Sequence, residues 1–454
     1  MKKISFLFFY LLLCFNSIKA QDWLPMDKGI ECFYGADVKK ILVDSVNDKL
    51  YANGNFNQDG NCVPMRGMAM WDGQHWDSIG NGTEGIAMKY MMALYNNDLY
   101  AYGNFYNNNV DEYFAKWNGV SWDTISKNPN GTIACTVQRD GVLYLGGFFS
   151  YLGHDSTFLL GSYDGSQFHA LTPAYGYPGG WAIFAMAFFQ DTLYVGGNFN
   201  TLPYKNLADF AKWDGTDLQV VHPDFANNGA LSMIEAMVVY HGELYIGGYF
   251  RKINGYTGDY IMKWDGHNFS EVGNGMNERV TTMKVYNDQL YVGGCFTQAG
   301  SINSNYIARW DGVNWYSITA DSFTGSYPMI RDLNFYRDTL IISGTFKAIN
   351  GDTNMYRIAK YSHPLVGIQS LFMQNEFALY PNPTQSTLTL QLSEAIKKNL
   401  TIQIKNTLGQ TIKTLQLSPG NKDLEIDVSD LSEGLYFVQY RSGETNVTKK
   451  FIKQ

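Results

Sequence analysis

Charged residues are scarce in this chain of 454 residues and make up only 17% of it. Acidic residues outnumber basic ones, the net charge is −8, and the acidic excess lies within residues 21–364. Binding to a nucleic acid backbone usually requires a basic surface that neutralises phosphates. The composition therefore predicts that nucleic acid is not a partner.

Cysteine and histidine are also few. Five Cys and seven His are spread along the chain without the spacing of a disulfide framework or of a zinc site. Cys135 and Cys295 lie inside predicted strands, where a thiol is usually a small buried apolar group. Cys32 and Cys62 lie in predicted loops and could form a disulfide. The sequence predicts no metal site, no cofactor and no catalytic residues.

Long apolar runs are missing beyond the N-terminus, so no transmembrane segment is predicted in the mature chain. Residues 1–20 have the pattern of a signal peptide. Lys2 and Lys3 form its positive start, an apolar stretch follows over residues 6–15, and Ala20 is a small residue suited to the cleavage site. We therefore expect the protein to be exported.

Glycine and aromatic residues are abundant instead, and both belong to a repeat. A motif of Leu, usually followed by Tyr, then small residues and a closing Phe recurs seven times at intervals of 44 to 51 residues. The copies are LYANGNF, LYAYGNF, LYLGGFF, LYVGGNF, LYIGGYF, LYVGGCF and LIISGTF, which start at Leu50, Leu99, Leu143, Leu193, Leu244, Leu290 and Leu340. Repeats of this length and number are typical of four-stranded β-propeller blades.

Each motif lies between two other strand patterns. An apolar strand and a turn of Asn, Asp or Gly precede it, as a tight hairpin requires. A third strand ends on an aromatic residue, as at Trp310, and a second aromatic residue such as Trp315 begins a fourth strand. The seventh repeat lacks this fourth strand, and we predict that Trp23–Met26 supplies it. The prediction is an all-β fold in which residues 21–364 form a seven-bladed β-propeller of four-stranded blades, with the N-terminal strand closing the last blade.

The succession of LYVGGxF and ARWDGxxW resembles bacterial kelch-like propeller repeats of secreted proteins. This resemblance covers about residues 22–364, and because it rests on structural positions it implies a fold and little about function. In such a blade the loop that enters the first strand and the loop between the second and third strands leave the same face. Cys32 and Cys62 would then lie on one face, where a disulfide is geometrically feasible.

The pattern changes after residue 364. Residues 365–374 have the composition of a linker, and residues 375–454 contain short alternating strands that predict a small Ig-like β-sandwich. Their signatures are, in order, Tyr380-Pro381-Asn382-Pro383, Leu408-Gly409, Leu431-Ser432-Glu433-Gly434-Leu435-Tyr436 and Lys449-Lys450-Phe451. This order resembles the type A C-terminal sorting domain of the type IX secretion system in Bacteroidota. The resemblance implies that the secretion machinery and a sortase are partners, and that the protein reaches the cell surface or the medium.

An aromatic loop is the first candidate for ligand binding. Nine of the ten Trp residues occupy repeat positions, whereas Trp181 lies with Tyr175 and Tyr177 in a loop rich in Gly and Pro between the third and fourth repeats. Exposed aromatic rings can stack on a sugar or on a side chain of a partner protein. The alternative is that the three rings pack locally.

The first strands of the repeats contain the second candidate. Nine residues before each motif leucine the chain has Ile41, Tyr90, Ala134, Phe184, Glu235, Thr281 and Arg331. Glu235 and Arg331 introduce charge near the start of a strand, where the channel of a propeller opens. They either line a polar site or neutralise each other.

These observations favour a secreted or cell-surface binding or adhesion protein that has a glycan or protein ligand. The alternative is an exported hydrolase or lyase acting on polysaccharides, with acids at the channel mouth. A third interpretation is a structural surface component that self-associates. Two unpaired carboxyl groups with raised pKa values at the mouth would favour the enzyme.

Overall fold

The computed structural model describes residues 22–31, 37–65, 67–80, 91–104, 112–126, 130–175, 181–199, 209–221, 233–250, 259–362, 377–392, 399–406, 410–442 and 445–453. The chain divides into two compact units, of which the first ends at Pro364 and the second begins at Leu365. Both units consist of β-strands. Within the described ranges, the single helical segment is a short 3-10 turn at Thr353–Met355.

The strands of the first unit are numbered β1 to β36. The first seventeen are β1 (Trp23–Pro25), β2 (Ile30–Glu31), β3 (Asp37–Asp44), β4 (Lys49–Asn55), β5 (Gln58–Asp59), β6 (Met68–Trp71), β7 (Trp76–Ser78), β8 (Met91–Tyr95), β9 (Asp98–Asn104), β10 (Glu112–Trp117), β11 (Trp122–Ser126), β12 (Thr132–Arg139), β13 (Val142–Phe148), β14 (Tyr151–Leu152), β15 (Asp155–Ser156), β16 (Leu160–Tyr163) and β17 (Phe168–Ala170). The others are β18 (Ile183–Phe189), β19 (Thr192–Gly197), β20 (Phe210–Trp213), β21 (Leu218–Val220), β22 (Met233–Tyr240), β23 (Glu243–Tyr249), β24 (Ile261–Trp264), β25 (Phe269–Glu271), β26 (Val280–Tyr286), β27 (Gln289–Gly294), β28 (Gln298–Ala299), β29 (Ile302–Asn303), β30 (Ile307–Trp310), β31 (Trp315–Ser317), β32 (Phe323–Thr324), β33 (Ile330–Tyr336), β34 (Thr339–Gly344), β35 (Ala348–Ile349) and β36 (Ile358–Tyr361).

Seven four-stranded antiparallel sheets make up most of the described part of this unit. In sequence order they are sheet 1 (β3-β4-β6-β7), sheet 2 (β8-β9-β10-β11), sheet 3 (β12-β13-β16-β17), sheet 4 (β18-β19-β20-β21), sheet 5 (β22-β23-β24-β25), sheet 6 (β26-β27-β30-β31) and sheet 7 (β33-β34-β36-β1). Each of the seven leucine motifs lies on the second strand of its sheet. The repeat therefore corresponds to one sheet.

The N-terminal strand belongs to the seventh sheet. β1 pairs antiparallel with β36, with Trp23 opposite Tyr361 and Pro25 opposite Ala359. The Trp23 side chain is fully buried, and its ring lies 5.1 Å from that of Tyr361 and 6.3 Å from that of Phe323. The predicted pairing of the N-terminal segment with the last repeat is thus confirmed.

The first strands of successive sheets contact one another in order. The contacting pairs are β3 with β8, β8 with β12, β12 with β18, β18 with β22, β22 with β26, β26 with β33, and β33 with β3. Hydrophobic cores lie between neighbouring sheets. One of them contains Tyr245 and Tyr260 of the region of sheet 5 together with Val292 and Trp310 of sheet 6.

The glycine pair of the motif permits this close packing. A Cβ atom on Gly247 of sheet 5 would lie 2.5 Å from Val280 Cγ1 of sheet 6. A Cβ atom on Gly248 would collide with the carbonyl oxygen of Met233 on the neighbouring first strand. The first glycine therefore allows sheet-to-sheet contact, and the second allows strand-to-strand contact.

Six of the first strands contain a β-bulge at the same place in their pairing with the second strand. The register shifts lie between Val38 and Lys40, Ile133 and Cys135, Ile183 and Ala185, Ile234 and Ala236, Val280 and Thr282, and Ile330 and Asp332. The bulge changes the direction in which the side chain of the extra residue points. In sheets 5 and 7 this residue is Glu235 and Arg331.

In sheet 1 the bulged residue is Lys39. The expectation that Ile41 is equivalent to Glu235 is therefore wrong. Counting back from the motif leucine fails because the β3–β4 hairpin has a longer loop. Leu50 pairs with Val43, seven residues before it, whereas Leu244 pairs with Val239, five residues before it.

The second unit contains seven strands in its described part: β37 (Phe377–Tyr380), β38 (Thr387–Leu392), β39 (Leu400–Lys405), β40 (Thr411–Leu417), β41 (Asp423–Asp427), β42 (Gly434–Ser442) and β43 (Thr445–Lys453). They form a three-stranded sheet, β37-β38-β41, and a four-stranded sheet, β40-β39-β42-β43. Leu390 and Ile426 of the first sheet share one buried core with Ile404 and Val438 of the second. The two sheets therefore pack face to face, as the alternating pattern predicts.

Candidate functional site

A cavity of about 380 Å³ lies among the first strands of the first unit. Six of these strands, β3, β12, β18, β22, β26 and β33, contribute residues to its wall. Its charged lining residues are Lys40, Glu235, Lys284, Arg331 and Asp332. Two of the residues singled out in the sequence, Glu235 and Arg331, thus face the same cavity.

Glu235 forms an ion pair between two sheets. Arg279, directly before β26, donates from Nε to Glu235 Oε1 at 2.5 Å and from Nη2 to Oε2 at 2.7 Å. The Glu235 side chain is 12% exposed and that of Arg279 is 29% exposed. Burial raises the pKa of Glu235, and the hydrogen bonds and charge of Arg279 oppose this increase. Both carboxylate oxygens are therefore occupied by one guanidinium group.

Arg331 has a different and looser partner. Its Nε lies 3.7 Å from Asp37 Oδ2 at the start of β3. This nitrogen is buried and has no hydrogen-bond partner among the described residues. Arg331 therefore lines the cavity as a cation whose only ion pair among the described residues is this long one.

Asp332 is held by groups from two neighbouring sheets. Its Oδ2 accepts a hydrogen bond from the Ile41 backbone N–H at 3.0 Å, and its Oδ1 accepts one from the Thr282 hydroxyl at 2.9 Å. Lys40 Nζ lies 3.5 Å from Oδ2, and the Lys40 side chain remains 57% exposed. The carboxylate is thus engaged on both oxygens, whereas the lysine is only partly engaged.

The partners of the two predicted residues were missed in the sequence. Within the described residues Glu235 and Arg331 do not pair with each other. Glu235 pairs with Arg279, and Arg331 pairs with Asp37. Both partners lie at the start of the first strand in an adjacent sheet. A charged residue at the start of these two strands was the available signal, but one chain position cannot show which sheets meet.

We expect Arg279→Met to destabilise the protein by about 3 kcal/mol, because it leaves the Glu235 carboxylate buried without a partner. The free energy of unfolding, measured by urea denaturation, checks this expectation. Arg337→Met is the matched control, since Arg337 also binds a carboxylate, that of Asp48, through two nitrogens between sheets, but at an exposed position. Equal destabilisation by the two changes would show that burial of Glu235 is unimportant.

The loss of folding stability caused by Arg279→Met should also depend on pH. Burial already raises the pKa of Glu235 above its usual value of 4.5, and removal of Arg279 raises it further. A carboxyl group with a raised pKa in the folded state weakens folding as the pH rises above its value in the unfolded chain. The stability difference from the unsubstituted protein should therefore be larger at pH 8 than at pH 4. A difference independent of pH would indicate that lost packing causes the effect.

The aromatic loop lies apart from this cavity, whose lining contains neither Trp181 nor Tyr175. Both side chains are partly buried and flank the ring of Phe158, with ring centroids 6.5 Å and 5.7 Å from it. Tyr175 donates a hydrogen bond to Asp217 Oδ2 at 2.5 Å, and this bond raises the pKa of Tyr175 to about 12. Tyr177 lies outside the described residues. Part of each described ring packs locally, and its role in binding remains a prediction.

The loops that carry Cys32 and Cys62 do meet. Strand β2 pairs with β5, with Glu31 opposite Gln58, so the loop into sheet 1 and the loop after its second strand leave the same face. Cys62 is exposed and forms no disulfide with another described cysteine. Cys32 lies outside the described residues, so its pairing with Cys62 stays a prediction. Cys135 is partly buried, and desolvation raises the pKa of its thiol to about 12.

A second cavity of about 520 Å³ lies between sheets 3 and 4. Its wall includes the hairpin-turn residues Asp140, Asp191 and Asp214 and the aromatic residues Tyr144 and Trp213. Arg139 forms an ion pair with Asp191 across it. Although it is larger, it contains none of the residues that the sequence singled out, and its carboxylates are on exposed turns.

In the second unit the Tyr380–Pro383 signature is fastened to the last strand. Asn382 Oδ1 accepts a hydrogen bond from the Ile452 backbone N–H at 2.9 Å, and Asn382 Nδ2 donates to the Lys450 carbonyl at 3.3 Å. Phe451 is fully buried between these residues and stacks on Tyr436 at 5.6 Å. Three of the separate sequence signatures thus form one structural element.

Comparison with protein families assigns this unit. Residues 378–454 match the family described as the secretion system C-terminal sorting domain. This domain marks proteins that the type IX system exports, so the protein is secreted or displayed on the cell surface. No helix in the described part of the chain is long and apolar enough to cross a membrane.

Comparisons that use the whole chain are less informative. No curated protein matches the chain. A structural genomics protein of unknown function from Bacteroides thetaiotaomicron is 11% identical, with a TM-score of 0.36 over 73% of this chain and 99% of its own. An arabinoxylan arabinofuranohydrolase of glycoside hydrolase family 43 from Bacillus subtilis is 12% identical, with a TM-score of 0.24 over 94% of this chain and 96% of its own. These TM-scores are too low to support an assignment of fold or function.

Proposed function

We propose that this exported protein is a non-enzymatic binding protein whose ligand enters the cavity among the first strands. In this proposal the seven sheets are the blades of a kelch-like propeller over residues 21–364. Residues 1–20 are the signal peptide, residues 365–374 a linker, and residues 375–454 the sorting domain. The ordered contacts of the first strands and the pairing of β1 with β36 support the propeller.

One observation favours binding over catalysis: both carboxylates of the cavity are already engaged. Arg279 occupies both oxygens of Glu235, and Ile41 and Thr282 donate to the two oxygens of Asp332. An acid and base pair for glycoside hydrolysis needs two carboxyl groups that are free to exchange protons. The groups left available in the cavity are cationic donors instead.

The alternative, an exported enzyme acting on polysaccharides, is favoured by the raised pKa of Glu235, which a general acid requires. Glu235→Gln separates the two functions. An enzyme would lose turnover and keep its affinity for substrate. A binding protein would show no turnover in either form.

We expect the full chain to retain one class of glycan on a glycan array without releasing sugars from it. Arg331→Met should weaken this binding at least tenfold, because Arg331 lines the cavity as a cation with only a long ion pair to Asp37. Trp181→Ala tests whether the aromatic loop, with Tyr175 and Tyr177, also contacts the ligand. Release of sugar would support the enzyme, and the absence of any retained glycan would overturn glycan binding.

A further inference from the structure

Lys284 is the least satisfied charged group of the cavity. It lies on β26, two residues beyond Thr282, and lines the cavity wall. Solvent reaches its side chain, yet the ammonium group forms no hydrogen bond or ion pair with any residue in the described part of the chain. A lysine at a cavity wall without a protein acceptor can donate hydrogen bonds to a ligand.

The other charged groups of the cavity do not offer an acceptor to Lys284. Glu235 is bound by Arg279, and Asp332 accepts hydrogen bonds from Ile41 and Thr282. Arg331 adds a buried nitrogen without an acceptor. Among the charged groups of the cavity, the unused hydrogen-bonding capacity therefore consists of donors, and a ligand with an anionic acceptor would complement them.

Apolar side chains also line the cavity. Met186, Met237 and Met283 line the cavity with Val238 and Val285. A volume of about 380 Å³ is at the small end of the range for ligand pockets. These apolar side chains can contact the carbon skeleton of an organic ligand, which a bare inorganic anion lacks.

We propose that the cavity binds a small organic carboxylate, whose carboxylate group accepts hydrogen bonds from Lys284 and is attracted by Lys40 and Arg331. This inference rests on the proposed binding function and adds the chemical class of the ligand. A sugar acid and an acidic amino acid both supply this group. Charge-assisted hydrogen bonds of this kind account for both affinity and orientation.

Proton linkage supports the assignment. Burial and the nearby charge of Lys40 lower the pKa of Lys284, and Asp332 opposes this decrease. The titratable or charged groups that share the cavity are Lys40 on β3, Cys135 on β12, Glu235 on β22, and Arg331 and Asp332 on β33, whereas β18 contributes none. A bound carboxylate would raise the pKa of Lys284, so affinity should fall as the pH rises through the pKa of the unliganded lysine.

Isothermal titration of the full chain with galacturonate, galactose and glutamate tests the inference. We expect galacturonate or glutamate to bind and galactose to bind at least tenfold more weakly, and the acid that binds identifies the source of the carboxylate. Lys284→Met, which removes the charge and keeps an unbranched side chain one atom shorter, should reduce the affinity by about 10- to 100-fold. Lys347→Met, at an exposed lysine outside the cavity, should leave it unchanged.

Equal binding of galactose and galacturonate would overturn the carboxylate assignment and leave the proposed binding function standing. Binding that survives Lys284→Met would overturn the role of this cavity. Failure of both acids to bind, while a neutral glycan is retained on the array, would likewise overturn the inference alone. Failure of every probe and of the array would overturn both the carboxylate assignment and glycan binding.

Discussion

Deletion of residues 375–454 is expected to abolish delivery of the protein to the cell surface and the medium. The first unit should then remain in the periplasm. The reason is that the secretion signal lies in the second unit, where residues 378–454 match the sorting domain. Fractionation of cells followed by immunoblotting measures the effect. At least a tenfold loss from the surface and medium fractions is expected.

The control for this deletion is a folding test of the truncated protein. The hydrophobic core of the second unit consists of its own residues, so the first unit should keep its thermal transition. A reporter placed between residues 1–20 and residues 365–454 should be delivered to the surface. Normal surface delivery of the folded, truncated protein would contradict the sorting assignment.

Trp23→Ala is expected to destabilise the first unit by about 4 kcal/mol. The side chain is fully buried, and its removal leaves a cavity against Tyr361 and Phe323. Because β1 is the outer strand of sheet 7, the change should also loosen the pairing of β1 with β36. Denaturation in urea gives the stability, and hydrogen exchange at the backbone amides of β36 reports on the pairing.

Leu24→Ala is the matched control in the same strand. Leu24 is 39% exposed, so its truncation removes little buried surface and should change stability by less than about 1 kcal/mol. Faster exchange in β36 is expected with Trp23→Ala and not with Leu24→Ala. Equal effects of the two substitutions would mean that the strand contributes through its backbone alone.

The strands and sheets could be predicted from the repeated patterns because each pattern depends on residues that are close together in the sequence. The leucine motif and the aromatic residue that closes the third strand predicted one sheet per repeat, and the seven described sheets confirm that correspondence. Trp23 was assigned to the last sheet because one strand was missing there and one was left over. The ordered signatures after residue 375 predicted the sorting domain because each signature is a short run of neighbouring residues.

The charged site was predicted only in part. Glu235 and Arg331 were found because they interrupt an uncharged position of the repeat, and they do line one cavity. Their partners could not be found, because Arg279 reaches Glu235 from the next sheet. The position equivalent to Glu235 in sheet 1 was displaced to Lys39 by two additional residues in a hairpin loop.

The sequence by itself therefore determined the all-β fold, the strand order within each sheet, the place of the N-terminal strand and the export route. Only the tertiary structure decided that Asp332 is held by Ile41 and Thr282, and that Lys284 faces the cavity without a partner among the residues that the structure describes. The physical reason is distance. Alternation and turn residues act over a few positions, whereas the charges of the cavity meet across sheets whose residues lie up to about 290 positions apart in the chain.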